Sequence, residues 1–233
     1  MTTIAANLQA VRARVSAACI AAGRGPGEVQ LLAVSKTFAL DAIKLALDAG
    51  QASFGENYVQ EAVEKIQALR ALSAPGQQRV EWHCIGPVQG NKTRLVAEHF
   101  DWVQSVDRLR IAQRLSEQRP GHLPALQVCI QVNTDGGANK SGVDPLELPA
   151  LARAIAQLPR LSLRGLMSIP EPSTDFTSAQ ALHLRAKVLF DRLNASGMAL
   201  DTLSMGMSAD LEAAVHAGST MVRVGTAIFG GRV

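Results

Sequence analysis

The sequence predicts a single (β/α)8 TIM barrel with one extra N-terminal helix, an α/β fold spanning residues 1–233 as one domain. Three observations predict it. Short apolar runs alternate with stretches of helical periodicity. The alternation repeats eight times within about 200 residues, which favours closure of a parallel sheet. Polar and glycine residues punctuate the C-terminal ends of the apolar runs, where such barrels carry their sites. An open doubly wound sheet is the alternative arrangement of the same elements.

In order, helical periodicity covers 3–22 and a strand follows at 29–35. A helix rich in Ala and Leu occupies 39–50, a short strand 52–55, and a helix Val59–Leu72. A loop with Pro75 and Gly76 leads to a strand at 80–85, a helix at 90–98, a strand at 101–104 and a helix at 107–118. The apolar run 126–132 reads as a strand, 144–157 as a helix and 161–167 as a strand. A loop holding Pro170 and Pro172 precedes a long helix at 176–195. Strand 200–204, helix 208–217 and strand 220–224 close the series.

Composition removes several function classes. Hydrophobic residues are 47% and charged residues 18% of 233, enough apolar material for a sizeable core. The net charge of +3 is scattered, with no dense basic block interleaved with aromatics, so no nucleic-acid partner is expected. No apolar stretch approaches the roughly 20 residues that span a bilayer. Arg12 and Arg14 interrupt the only alanine-rich N-terminal stretch, so no secretory signal is expected. Cys19, Cys84 and Cys129 form no C-x-x-C pair, which points to a reducing cytoplasm rather than a disulfide framework or zinc site. His83, His99, His122, His183 and His216 show no metal-ligand spacing, so no metal is expected. Trp82, Trp102 and Tyr58 read as packing groups, with Tyr58 beside Asn57 the exception to watch.

The chemistry concentrates at strand ends. Lys36 ends the run Val29-Gln30-Leu31-Leu32-Ala33-Val34-Ser35-Lys36, so a buried strand delivers an amine to its own tip. An amine in apolar surroundings loses its proton more readily and can attack a carbonyl. Phosphate sites in this fold are commonly built by the loops after strands 7 and 8. Here those loops are Ser204-Met205-Gly206-Met207-Ser208 and Gly225-Thr226, whose small residues and hydroxyls suit an anion. A Schiff-base lysine facing a phosphate site fits either a sugar phosphate, as in Schiff-base aldolases, or pyridoxal phosphate. Arg223 favours the second, because a permanently protonated guanidinium can face a pyridine nitrogen and weaken the ring as an electron sink. Gly136-Gly137-Ala138-Asn139-Lys140-Ser141 resembles a phosphate-binding P-loop but lacks the glycine directly before the lysine.

These residues also carry a family resemblance. The chain resembles the pyridoxal-phosphate homeostasis proteins, a single-domain family related to the barrel domain of alanine racemases. The match runs nearly end to end, through Ala33-Val34-Ser35-Lys36, Phe54-Gly55-Glu56-Asn57-Tyr58, His83 with Ile85-Gly86-Pro87, Asn91-Lys92, Val132-Asn133, Lys140-Ser141-Gly142, Arg164-Gly165-Leu166-Met167, Leu203-Ser204-Met205-Gly206-Met207-Ser208 and Val222-Arg223-Val224-Gly225-Thr226. The resemblance implies that Lys36 holds pyridoxal 5'-phosphate as a Schiff base and that Arg223 faces the pyridine nitrogen. It implies that Ser208, Gly225 and Thr226 hold the phosphate, with Ser204 and Met207 lining the same loop, and that Asn57 and His83 line the cofactor's face. One departure is visible: the family usually has a glutamate four residues after Asn133, where this chain has Gly137.

The expected function is a cofactor carrier or buffer that affects amino-acid and keto-acid balance. The expected partners are the cofactor, apo-forms of enzymes that use it, and free amino acids, and a monomer is expected. The alternative is an amino-acid racemase or related enzyme. Alanine racemases take a catalytic tyrosine from a second domain, which a chain ending at Phe229-Gly230-Gly231-Arg232-Val233 is expected to lack. Racemisation needs a second acid/base on the opposite face of the substrate.

Overall fold

A computed structural model describes residues 3–72, 79–136, 141–173 and 175–231. The eight strands close into one barrel in chain order, each parallel to its neighbours. They are β1 Gln30–Val34, β2 Ser53–Glu56, β3 Glu81–Cys84, β4 Trp102–Val106, β5 Leu126–Gln131, β6 Leu161–Met167, β7 Thr202–Ser204 and β8 Met221–Val224. Closure is made by β1 on β8, in register from Gln30 opposite Met221 to Ala33 opposite Val224. An open doubly wound sheet is thereby excluded.

The helices are α1 Ile4–Ala21, α2 Leu40–Asp48, α3 Val59–Leu72, α4 Thr93–His99, α5 Leu109–Gln118, α6 Leu148–Ala156, α7 Phe176–Ala195, α8 Leu211–His216 and α9 Thr226–Phe229. Helix α1 is the extra one. Thr3 caps it by accepting from the Ala6 N–H, and it packs against α2, α8 and α9. Three helix starts lie three or more residues later than the sequence reading, and one helix is additional. The helix expected at 90–98 opens as a 3-10 turn, Gly90–Lys92, before α4. The helix expected from 144 starts at Leu148. Asp144 accepts from the Leu146 N–H in a turn, and Pro149 is tolerated only in the first helical turn. The helix expected from 208 starts at Leu211, because Asp210 folds back on the Met207 N–H. The short α9 was not expected, since four residues after a glycine show no periodicity. The loop with Pro75 and Gly76, and Gly137 and Lys140, lie outside the described residues.

Side chains alternate across the pleat. Leu126, Val128, Ile130, Leu166, Leu203, Val222 and Val224 face the helices and join one continuous apolar core. The barrel interior is different. It holds a separate small cluster, Trp102, Cys129 and Met167, together with buried His83, Gln104, Ser204 and Arg223. All three cysteines are buried and free. Among the described residues, no helix is long and apolar enough to cross a membrane, and no group of three His, Cys, Asp or Glu side chains could hold a metal.

Candidate cofactor site

A cavity of about 380 Å³ opens at the C-terminal ends of the strands. That volume suits a small molecule. Apolar walls come from Val34, Ile85, Ile169 and Met207, and polar groups from Lys36, Asn57, Ser208, Arg223, Gly225 and Thr226. Seven of the nine predicted site residues therefore share one cavity: Lys36, Asn57, Met207, Ser208, Arg223, Gly225 and Thr226. Lys36 is half-buried, two residues past the end of β1. Asn57 follows β2, and its backbone is approached closely by Gly86. A Cβ on Gly86 would meet the Asn57 carbonyl oxygen at 2.3 Å, so only glycine fits there.

Thr226 Oγ1 and Ser208 Oγ lie 3.2 Å apart, bringing the loops after β7 and β8 together. Gly225 is the N-cap of α9, whose first N–H groups have no partner within the helix. The loop before α8 is held from beneath. Asp210 accepts from the Met207 N–H at 2.6 Å and bonds His183 Nε2 at 2.9 Å. Burial works against charge on Asp210, but these hydrogen bonds hold its carboxyl below the usual range. Arg14 of α1 donates to the Ser208 carbonyl at 3.1 Å and pairs with Glu212. Gly206 takes φ +94° in this loop. A Cβ there would also meet the Ala214 Cβ at 2.4 Å.

Arg223 forms the floor. It is 4% exposed, donating to Ser204 Oγ at 2.8 Å and to the Ser168 carbonyl at 3.0 Å. Burial lowers its pKa to about 10, and it stays cationic at neutral pH. The buried Ser168 Oγ has no protein hydrogen-bond partner.

His83 and Ser204 stand elsewhere than expected. The resemblance implied that His83 lines the cofactor's face, but it is fully buried, 5.1 Å from the stacked Trp102 ring, and does not reach the cavity. Both residues belong to a chain of hydrogen bonds along the barrel interior. Arginine can only donate, so Ser204 Oγ accepts from Arg223 and gives its own proton to Gln104 Oε1 at 2.7 Å. Gln104 Nε2 then donates to His83 Nδ1 at 2.9 Å, which leaves the imidazole proton on Nε2, facing Glu81 Oε1 at 2.8 Å. Burial keeps the His83 imidazole below its ordinary pKa despite Glu81, so it is neutral. Burial opposes charge on Glu81 as well, but hydrogen bonds from His83 and its neighbours bring the Glu81 carboxyl down to about 2. The chain thus runs from a cation at the cavity floor to an anion at the opposite barrel mouth, every donor pointing the same way.

Sequence reasoning missed Gln104, Asp210 and His183 as supports for the site. The bonds of Gln104 to His83, of His183 to Asp210 and of Gln104 to Ser204 span 21, 27 and 100 residues, beyond the reach of any local pattern. It also missed the apolar wall of Ile85 and Ile169. Tyr58 is about half exposed and borders an adjoining hollow with Asn57, Pro87 and Lys92.

Residues 3–233 match the family model of the alanine racemase N-terminal domain. The chain is 54% identical over 232 residues to the pyridoxal phosphate homeostasis protein of Escherichia coli, covering 100% of this chain and 98% of that protein. Its identity to the protein of the same name from Pseudomonas aeruginosa is 56%, covering 100% and 97%. The structure of PipY from Synechococcus elongatus with PLP bound superposes with a TM-score of 0.84 at 37% identity, covering 98% of this chain and 100% of that one. An alanine racemase from Corynebacterium glutamicum shares the fold at a TM-score of 0.66 and 17% identity, covering 95% of this chain and 60% of the racemase.

Proposed function

This chain belongs to the alanine racemase N-terminal domain family, and from that premise we propose that it binds pyridoxal 5'-phosphate on Lys36 and serves intracellular homeostasis of that cofactor. One observation carries the reading. A single cavity brings together the Lys36 amine, the Arg223 guanidinium and the Ser208–Thr226 hydroxyl pair beside the start of α9. This donor set fits an aldehyde, a pyridine nitrogen and a phosphate. The bound structure of the Synechococcus relative supports the same ligand.

When bound, pyridoxal phosphate supplies an electrophilic aldehyde. Lys36 provides the amine that holds it covalently. Ser208, Thr226 and the Gly225 backbone bind the phosphate, since charge-assisted bonds to an anion are the strong ones. Arg223 orients the ring through its nitrogen and resists charge delocalisation into it. Asn57 walls one side. Supported by the buried free cysteines, which suit a reducing compartment, the setting is the cytoplasm. The barrel of residues 1–233 acts as one monomeric binding unit, exchanging cofactor with apo-enzymes or free amino acids.

Storage rather than turnover is favoured by the lining. Among the described residues of the cavity wall, Lys36 and Arg223 carry the ionisable side chains, and the guanidinium is a poor acid. Borohydride reduction of the protein with bound cofactor, followed by peptide mass mapping, is expected to place the pyridoxyl group on Lys36 and to find none in Lys36→Ala. An adduct on Lys92 or Lys140 would overturn the assignment. Chiral chromatography of L-alanine incubated with the loaded protein is expected to show no inversion. Turnover within the enzyme range of about 1–1,000 per second would promote the racemase alternative.

A further inference from the structure

We propose that Lys65, with Glu56 and Glu61, is a positioning device for Lys36, clamping the backbone on both sides of that residue so that its amine enters the cavity. The inference rests on the reading of Lys36 as the attachment point.

Lys65 lies on α3 with its side chain only 9% exposed. Its ammonium donates to three acceptors: the Ser35 carbonyl at 3.0 Å, Glu56 Oε1 at 2.9 Å and Glu61 Oε1 at 2.5 Å. An ammonium has three protons, so its donors are fully used. Two of these acceptors lead back to the same short segment. Glu56, fully buried at the tip of β2, also accepts from Ser35 Oγ at 2.7 Å. Glu61 also accepts from the Thr37 N–H at 2.8 Å. Ser35 and Thr37 flank Lys36, and the cluster grips both.

The backbone there needs gripping. Thr37 has φ +69°, a conformation in which a β-branched residue is strained. The left-handed residue turns the chain sharply away from the end of β1 and persists only where its surroundings over-determine it. The Glu61 bond to its N–H is such a constraint.

The cluster is a poor stability device. Desolvating a buried ion pair roughly cancels its Coulomb attraction, so burial of Lys65 between two carboxylates adds little to folding. What the arrangement does add is specificity of geometry at residues 35–37. Glu56 Oε2 remains buried without a partner, a cost tolerated beside Lys36.

The test separates capture from binding. In capture, the Lys36 amine adds to the aldehyde carbon of added pyridoxal phosphate and water leaves; borohydride then delivers hydride to that carbon and solvent a proton to the nitrogen. Pyridoxine 5'-phosphate has an alcohol in place of the aldehyde and reports non-covalent binding alone. Glu61→Ala is expected to slow capture at Lys36 about tenfold while leaving pyridoxine 5'-phosphate affinity within twofold. Glu61→Gln keeps an acceptor for the Thr37 N–H and should recover most of the rate. Lys65→Met should slow capture further. If Lys65→Met does not fold, as judged by far-ultraviolet circular dichroism, the Glu61 pair decides. Wild-type capture rates in folded Glu61→Ala would overturn the proposal, as would equal losses for both ligands. Failure of the unmutated protein to capture on Lys36 would instead overturn the assigned function.

Discussion

The barrel has a hollow at each mouth, and the two differ in kind. The one at the N-terminal ends of the strands, about 310 Å³, is rich in charge: Arg79, Glu81, Asp101, Arg119 and Arg164 line it. Yet those charges are spent on one another and on the backbone. Arg164 forks onto Asp201 and lies 5.0 Å from the Trp102 ring centroid, Arg79 pairs with Asp101, and Arg119 serves the carbonyls of Ala97, Phe100 and Pro124. The cavity at the other mouth has fewer formal charges, but its amine, its hydroxyl pair and its helix start all face a common space. Charge count does not mark a site. What marks it is an amine, a guanidinium and a hydroxyl pair lining one space.

The comparison can be broken most strongly at the cofactor mouth. Ser208→Ala combined with Thr226→Ala removes two bonds to the phosphate, each costing about 1.5–3 kcal/mol. Equilibrium dialysis is expected to show pyridoxal phosphate affinity reduced by about 100-fold or more, with the unfolding midpoint little changed. Unchanged affinity would put the phosphate elsewhere. At the opposite mouth, Arg119→Met strands the two buried carbonyls of Ala97 and Phe100. Urea unfolding should register a loss of about 2–4 kcal/mol while cofactor affinity stays within twofold. A large affinity loss would mean that the two mouths are not separate in function.

The smallest expected effect concerns pH. The folded-state pKa of His83 is depressed, so its neutral form is the one the fold accepts. Stability should begin to fall as pH drops below about 6.5, the ordinary histidine value. The carboxyl of Glu81 is also depressed, to about 2 from an ordinary 4.5, so its contribution is present above pH 4.5 and fades as pH falls toward 2. Its side chain is 39% exposed, and solvent screening keeps the effect to a few degrees of melting temperature. Calorimetry from pH 8 to pH 3 checks it. Glu81→Gln should flatten the limb below pH 4.5, and an unaltered limb would remove Glu81 from the account.

What was legible in the sequence follows the range of the signals. Strand tips are local features: an apolar run that stops at Lys36, or one that breaks into Ser204-Met205-Gly206-Met207-Ser208, announces its position within a few residues. The barrel itself was legible from eight such runs. The fate of a polar residue inside a strand was not. His83 and Ser204 look the same in sequence whether they face a ligand or the barrel interior; their placement depends on Gln104, contributed by a different strand. Likewise Asp210 gave no sign of bracing the loop before α8, because its partner His183 sits 27 residues earlier on α7.

Helix α1, which lies outside the barrel, holds the segments that follow β7 and β8. Arg14 holds the Ser208 carbonyl across 194 residues of chain, and Asn7 donates to the Ile228 carbonyl at 3.0 Å across 221. Strand β1, which leads to Lys36, pairs with β2 and likewise completes its pairing only on β8. The earliest-synthesised elements thus wait for the latest. At the usual rate of about 5–20 residues per second, the ribosome releases residues 204–228 at least about nine seconds after α1 emerges. On the proposed placement of the phosphate, a nascent chain exposes the Lys36 strand before its phosphate cradle exists, and cofactor loading becomes a report of completed synthesis: only a finished barrel can be charged.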